Sequence, residues 1–186
     1  MKELTKKGKN IELIIALLLV LIGISFRIIP HAPNFTPIAA IALFGGVYFS
    51  KKIAFVLPLG AMLISDIFIG FYQTSVMVSV YGSFILCVIL GFWLKKHKGW
   101  YAVGGSAVLS SVLFFLITNF AVWAFTPWYA KTLSGIIQCY LLALPFLKNT
   151  LLGDLFYTTV FFGSYELIHI WVRSKFGIKK ALVYVR

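Results

Sequence analysis

Residues 27–46 read RIIPHAPNFTPIAAIALFGG, and they join two strongly apolar parts of the chain. The first part of this stretch holds an arginine, a histidine, an asparagine and three prolines, and the rest is almost wholly apolar. Proline fixes its own backbone and disfavours helix for the residue before it, so the stretch predicts a stiff link between two helices. The polar residues therefore stand where one apolar segment ends and the next begins.

The composition places most of the chain in lipid. Of its 186 residues, 61% are hydrophobic and 12% are charged, and the mean hydropathy is +0.96. A typical soluble domain has about 25% charged residues. The net charge of +12 comes from short basic clusters between apolar runs. That pattern is typical of cytoplasmic loops in a membrane protein rather than of a nucleic-acid-binding surface.

The chain contains seven apolar segments. Crossing a hydrocarbon core of about 30 Å takes about 20 helical residues. Five segments are long enough to do so: 11–29, 53–72, 76–94, 101–125 and 149–172. Two are shorter, 36–49 and 133–147, and Pro145 lies near the end of the second. We therefore expect one transmembrane helical domain at 11–172, with a basic N-terminus at 1–10 and a basic tail at 173–186.

The positions of lysine and arginine predict the orientation, because cytoplasmic loops carry the excess of positive charge. Suppose that residues 36–49 cross the membrane and residues 133–147 stay on the outer side as an interfacial or re-entrant helix. All but three of the 17 basic residues then face the cytoplasm, the exceptions being Arg27, Lys131 and Lys148. The predicted fold is an all-α bundle of six transmembrane helices plus that short helix, in the cell membrane with both termini cytoplasmic.

Small residues recur at helical spacing within the spans, and such stripes let helix backbones approach closely in lipid. They are the sets Ala42/Gly46, Ala61/Ser65 and Ala102/Ser106/Ser110. The stripes fit packing within the bundle or docking onto a partner membrane protein. Cys87 and Cys139 lie inside apolar runs, where they indicate packing residues and not a disulfide framework.

Polar side chains inside a membrane are expensive, so each is a candidate functional residue. With this topology, six candidate solute-binding residues gather near the outer face: Arg27, His31, Asn34, Asp66, Asn119 and Asp154. One interpretation is a structural pair of Arg27 with Asp66 or Asp154. The other is an outward-facing pocket, walled by aromatic side chains, in which these residues fix a small polar solute. Glu166 and His169 form a separate set near the inner end, where His169 and Arg173 suggest an interfacial pair.

The chain has no HExxH, GxSxG or phosphate-binding glycine motif, so we predict no catalytic residue, no cofactor and no metal site. Two alternatives use the same side chains. His31, Asp66 and Asp154 are acid–base groups if the protein is an intramembrane enzyme acting on a lipid or isoprenoid. The same three residue types also bind metals, although they follow no ligand spacing here. A third alternative is a non-catalytic accessory membrane subunit.

Five blocks carry a resemblance to a family of small, uncharacterised bacterial integral-membrane proteins. They are PHAPNFTPIAAIALFGG, PLGAMLISDIFIG, YGSF, FFLITNFAVW and CYLLALPFLKNTLLGDLFYTTVFFG, and they run from about Arg27 to Glu166. In layout the chain also resembles the substrate-binding S components of energy-coupling-factor transporters. That resemblance implies uptake of a vitamin-like nutrient or precursor and a lid formed by the proline-bearing loop. It also implies, as partners, an energy-coupling membrane subunit and ATPases. Those components commonly carry Ala-x-x-x-Ala on the first helix, where this chain has only Ala16.

Overall fold

The computed structural model describes residues 2–97 and 99–176, and the side chains of residues 12–97, 99–171 and 174. Within these ranges the chain forms six helices and no strand. The helices are α1 (Lys2–Ile28), α2 (Ile38–Tyr48), α3 (Lys51–Ile69), α4 (Thr74–Leu94), α5 (Trp100–Phe125) and α6 (Leu133–Phe176). Lys98 and most of the predicted basic tail, 177–186, lie outside the described residues.

Four of the described helices are long and apolar enough to cross a membrane: α3, α4, α5 and the part Leu133–Trp171 of α6. The bounds of α3, α4 and α5 agree closely with the predicted segments 53–72, 76–94 and 101–125. Long apolar side chains lie on their outer surfaces, as Phe68, Val78 and Leu116 do. The fold is therefore that of a helical membrane protein, as the composition predicts.

The short helix α2 forms the centre of the bundle. Each of its 11 residues is buried, and it contacts α1, α3, α4, α5 and α6. A helix that is apolar on all sides belongs in such a position. At about 1.5 Å per residue its length is only about half of a 30 Å hydrocarbon core. The predicted segment 36–49 therefore contains a central half-length helix, Ile38–Tyr48, and not a span of ordinary length.

Two glycines bring α2 and α4 into backbone contact. A Cβ atom added to Gly46 would lie 2.5 Å from the carbonyl oxygen of Val88, and one added to Gly91 would lie 2.5 Å from that of Leu43. The close approach predicted for the Ala42/Gly46 stripe is present. Its counterpart on α4, Gly91, belongs to none of the predicted stripes.

Residues 133–147 and 149–172, expected as two separate segments, belong to one continuous helix. This helix, α6, has 44 residues and contains Pro145. Membrane helices tolerate proline because neighbouring groups satisfy the backbone that it frees. Side-chain bonds hold α6 to α5 on both sides of the proline, from Tyr140 to the Leu116 carbonyl at 2.7 Å and from Ser111 to Asp154 at 2.6 Å. The expected break is therefore absent.

Two ends of the bundle can be distinguished by their contacts. At the first, called the Arg27 end, α1 and α3 finish, and Gln73 donates to the carbonyl of Phe125. At the second, called the Glu12 end, the backbone N–H of Ser50 donates to the Glu12 carboxylate at 2.9 Å. This bond caps the start of α3 with a negative charge, which the helix dipole favours.

Candidate functional site

Arg27, in the last turn of α1, binds the end of α3 through three groups. Its Nη2 atom lies 2.8 Å from Oδ1 of Asp66, and Nη1 donates to the Met62 carbonyl at 3.1 Å and to the Ser65 hydroxyl. The contact with Oδ1 is an ion pair whose N–H is poorly aligned for a hydrogen bond. The side chains of Arg27 and Asp66 are 15% and 1% exposed. Of the two partners considered from the sequence, Arg27 therefore pairs with Asp66.

Two tyrosines complete the surroundings of this ion pair. The Tyr81 hydroxyl on α4 donates to Oδ2 of Asp66 at 2.7 Å, so both carboxylate oxygens have a polar neighbour. Tyr72 lies in the link between α3 and α4. Burial raises the pKa of the Tyr72 phenol to about 12, and the negative charge of Asp66 adds to the rise while Arg27 opposes it.

The proline-bearing link between α1 and α2 folds into a compact turn at the Arg27 end. Asn34 adopts a left-handed backbone conformation with φ of 64°, which asparagine tolerates better than most residues. The Phe35 N–H donates to the Ala32 carbonyl at 3.0 Å. The ring of Phe35 packs against those of Phe156 and Tyr157 at centroid distances of 6.0 and 5.4 Å. The link is thereby fastened to α6.

A cavity of about 300 Å³ lies between this link and helices α3, α4 and α5. Its polar lining consists of Arg27, His31, Asn34, Thr36 and Tyr72. Its apolar lining consists of Met62, Ile69, Val80, Phe84 and Phe114. Small-molecule sites have this character, with apolar walls and a few convergent polar groups.

The cavity contains three of the six candidate binding residues, and the structure places the other three differently. Arg27, His31 and Asn34 line it, while Asp66 lies behind Arg27 as its ion-pair partner. Asn119 donates to the Phe115 carbonyl of its own helix at 2.8 Å. Asp154 is bonded to Ser111 inside the bundle. The sequence therefore predicts three of the polar residues that line the cavity, and the other three candidates lie outside its lining.

His31, Asp66 and Asp154 have separate surroundings. The Ile29 carbonyl accepts a hydrogen bond from Nδ1 of His31 at 2.7 Å, and the ring is exposed. The two carboxylates bind Arg27 and Ser111, on different helices. No group of three or more His, Cys, Asp or Glu side chains in the described part of the chain could hold a metal ion. The structure thus offers these three residues no shared reaction centre or metal centre.

A second cavity, of about 410 Å³, lies at the Glu12 end and is lined by Glu166, Trp100 and Tyr48 among others. The ring of His169 stacks on that of Tyr165, with the two planes 14° apart. The predicted pair of His169 with Arg173 cannot be followed, because the Arg173 side chain lies outside the described residues. No described contact links this set to the cavity at the Arg27 end.

Sequence reasoning missed four residues at the Arg27 end: Thr36, Ser65, Tyr72 and Tyr81. Ser65 belongs to a predicted packing stripe, and its hydroxyl also accepts from Arg27. A signal for Tyr81 exists in its place on α4, near the helix end that faces Asp66. Tyrosines in membrane helices carry a polar tip that needs a partner when it is buried.

The fold and the cavity together define a helical membrane protein with a partly polar chamber at one end of its bundle. The chain belongs to a family described as a family of unknown function (DUF6580), whose model matches residues 7–177. The resemblance to an uncharacterised family is thereby confirmed. No curated protein and no solved structure matches the chain.

Proposed function

We propose that the protein is a membrane-embedded solute-binding subunit for the uptake of a small, vitamin-like nutrient or precursor, energised by a separate membrane module. In this proposal the Arg27 end faces outward, both termini are cytoplasmic and the bundle crosses the membrane six times. The observation that carries it is the cavity of about 300 Å³ at that end.

The distribution of charge supports this orientation. The exposed cations Lys51, Lys52 and Lys96 lie at the Glu12 end, which the proposal places in the cytoplasm. At the Arg27 end, Arg27 is neutralised by Asp66, and Lys131 binds the carbonyls of Trp123 and Thr126. Positive charge enriched at one end is the usual signature of the cytoplasmic side.

The electrostatics of the cavity favour a ligand without net charge. The negative charge of Asp66 offsets that of Arg27, so the cavity does not present an unpaired cation to an anionic solute. Arg27 still offers N–H donors, because a guanidinium has five and its contacts with α3 use fewer. Since Nδ1 of His31 donates to a carbonyl, Nε2 is the acceptor of the neutral ring.

The shape of the cavity adds a second restriction. Phe84 and Phe114 pack with ring centroids 5.3 Å apart and form part of the wall. A ligand of mainly apolar or aromatic body, with one polar edge toward Arg27, His31 and Asn34, would match this lining. The link from α1 to α2 forms one side of the cavity through His31, Asn34 and Thr36, and Phe35 fastens this link to α6.

The accessory-subunit alternative has one observation in its favour. Arg27 binds three groups of α3, and an ion pair of this kind pins two helices together without any ligand. A purely structural role, however, gives no reason for the adjoining cavity. Binding experiments therefore distinguish the two proposals.

The test is a thermal-shift screen of the full-length protein in detergent against vitamins, their precursors and metal ions. A compound that raises the transition temperature is then titrated by calorimetry. We expect His31→Ala and Asn34→Gly to weaken its binding about tenfold each, the cost of one lost hydrogen bond. Glycine at 34 keeps the left-handed backbone. Asn119→Ala, outside the cavity lining, is the matched control.

Two results would contradict the proposal. One is a screen in which no compound shifts the transition of well-folded protein. The other is a ligand that binds His31→Ala and Asn34→Gly as tightly as the unaltered chain, since it would then occupy another place.

A further inference from the structure

Asp154 is a buried carboxylate inside the bundle without a cationic partner among the side chains that the structure describes. It lies on α6, is 2% exposed, and accepts a hydrogen bond from the Ser111 hydroxyl of α5 at 2.6 Å. The ion pair of Arg27 is formed with Asp66 instead. An isolated buried charge is very costly, so a carboxylate in this position is expected to bind a proton or another cation.

Two buried hydroxyl groups on the helices that carry Asp154 and Ser111 have no hydrogen-bond partner of good geometry. They belong to Ser110 and Thr158, which are 0% and 2% exposed. Thr158 follows Asp154 by four residues, so both lie on one face of α6. Ser110 directly precedes Ser111 on α5, and the Cys87 thiol of α4 adjoins Ser110 and lies within electrostatic range of Asp154. That thiol does not give Ser110 a hydrogen bond of good geometry. Three helices therefore meet at this point.

The two unpartnered hydroxyls differ from other hydroxyls on the same helices and on α4. Ser83 donates to the carbonyl four residues earlier at 2.7 Å, Thr118 does so at 2.7 Å and Thr150 at 2.8 Å. Serine and threonine side chains in a membrane helix usually form this local hydrogen bond. Ser110 and Thr158 leave it unused, so their oxygens are free to bind an ion.

We propose that Asp154, Ser110, Ser111 and Thr158 form a Na⁺ site inside the bundle. A proton on Asp154 would add a single O–H donor, which can satisfy only one of the two free hydroxyl oxygens. A Na⁺ ion accepts lone pairs from all of these oxygens and also neutralises the carboxylate. Intramembrane carboxylates commonly mark ion pathways, and none of these four residues lines the cavity at the Arg27 end.

The test measures the thermal unfolding of the full-length protein in detergent by tryptophan fluorescence. NaCl is replaced stepwise by choline chloride at constant ionic strength and pH. A ligand that binds only the folded state stabilises it by an amount that grows with the logarithm of its concentration. We expect the transition temperature to rise in this way with Na⁺ and to stay constant with choline.

Variants locate the effect at the four residues. Asp154→Asn keeps the size of the side chain and should abolish the response to Na⁺. Ser110→Ala and Thr158→Val should raise the half-saturating Na⁺ concentration on the order of tenfold each, the lower end of the loss seen when even a hydrogen-bond partner of a metal ligand is altered. Ser83→Ala and Thr118→Val are the matched controls, since each removes a buried hydroxyl that already has a partner. They should respond to Na⁺ as the unaltered chain does.

Three outcomes would overturn the proposal. The first is an unaltered chain with the same transition temperature in Na⁺ and in choline. The second is a response to Na⁺ that survives Asp154→Asn. The third is stabilisation by falling pH that Asp154→Asn removes, with no response to Na⁺, which would assign a bound proton instead. If Asp154→Asn does not fold, the Thr158→Val and Thr118→Val pair decides the question alone.

Discussion

Arg27 and Asp66 form an ion pair of 2.8 Å that joins the last turn of α1 to the end of α3. The same arginine borders the cavity, and the same aspartate accepts the Tyr81 hydroxyl from α4. One pair of side chains therefore connects three helices and sets the charge of the chamber beside them. Its role in stability and its proposed role in binding can be separated experimentally.

The first prediction concerns the stability that this pair provides. Arg27→Met leaves the Asp66 carboxylate buried without its cation, which typically costs about 3–5 kcal/mol. Replacing both residues, as Arg27→Met with Asp66→Leu, should cost clearly less than the arginine substitution alone. Unfolding of the detergent-solubilised protein by denaturant measures both values. Lys52→Met, which removes an exposed cation, should have little effect, and a double variant less stable than Arg27→Met would contradict the prediction.

The second prediction concerns the glycine contact between α2 and α4. Gly91→Ala places a methyl group 2.5 Å from the Leu43 carbonyl oxygen, so the helices must separate. Overpacking of this kind costs about 1–3 kcal/mol. Gly82→Ala is the control on the same helix, because a Cβ atom there meets nothing within 4 Å. Thermal unfolding should show a lower transition for Gly91→Ala and an equal or higher one for Gly82→Ala.

The third prediction concerns pH. The Tyr72 phenol has a pKa raised from 10.0 to about 12 in the folded protein, chiefly by burial. The folded state therefore holds this proton more tightly than the unfolded state does. Its contribution to stability is complete below pH 10 and is lost as the pH rises toward 12. Across this interval Tyr72→Phe should lose less stability than the unaltered chain, and parallel losses would contradict the assignment.

Much of the fold follows from periodicity and length. Segments such as 76–94 and 101–125 are long, apolar and free of internal charge, and the bounds of α4 and α5 lie within two residues of them. The structure of the short apolar run at 36–49 is harder to predict, because a half-length buried helix and a membrane span have the same composition. Only the surrounding helices show that α2 is buried on every side. Likewise, Pro145 suggested a break, which the contacts of α6 with α5 make unnecessary.

The lining of the cavity was predictable only where polar residues are neighbours along the chain. Arg27, His31 and Asn34 share one short link and line one cavity. Asp154 and Asn119 are also polar residues within apolar helices, but Asp154 accepts from Ser111 and Asn119 donates to the Phe115 carbonyl, so neither lines the cavity. Hydropathy gives the depth of a residue in a membrane more readily than the direction of its side chain. Tyr81 was missed for the same reason.

The fourth prediction concerns orientation, on which the proposed function depends. Trp128 lies in the link after α5 at the Arg27 end and is 73% exposed. Lys96 is exposed in the link after α4, at the opposite end. Because Cys87 and Cys139 are each only 1% exposed, the native chain should react little with thiol reagents and needs no cysteine removal.

In intact cells, a membrane-impermeant maleimide should therefore label Trp128→Cys and leave Lys96→Cys unlabelled until the membrane is opened. The physical basis is the positive-inside rule. Lys95 and Lys96 resist translocation out of the cytoplasm, because the cytoplasmic side of the membrane is at negative potential. Labelling of both variants after permeabilisation is the control for accessibility. If Lys96→Cys were instead labelled in intact cells, the Arg27 end would face the cytoplasm. The cavity could not then capture a solute from outside.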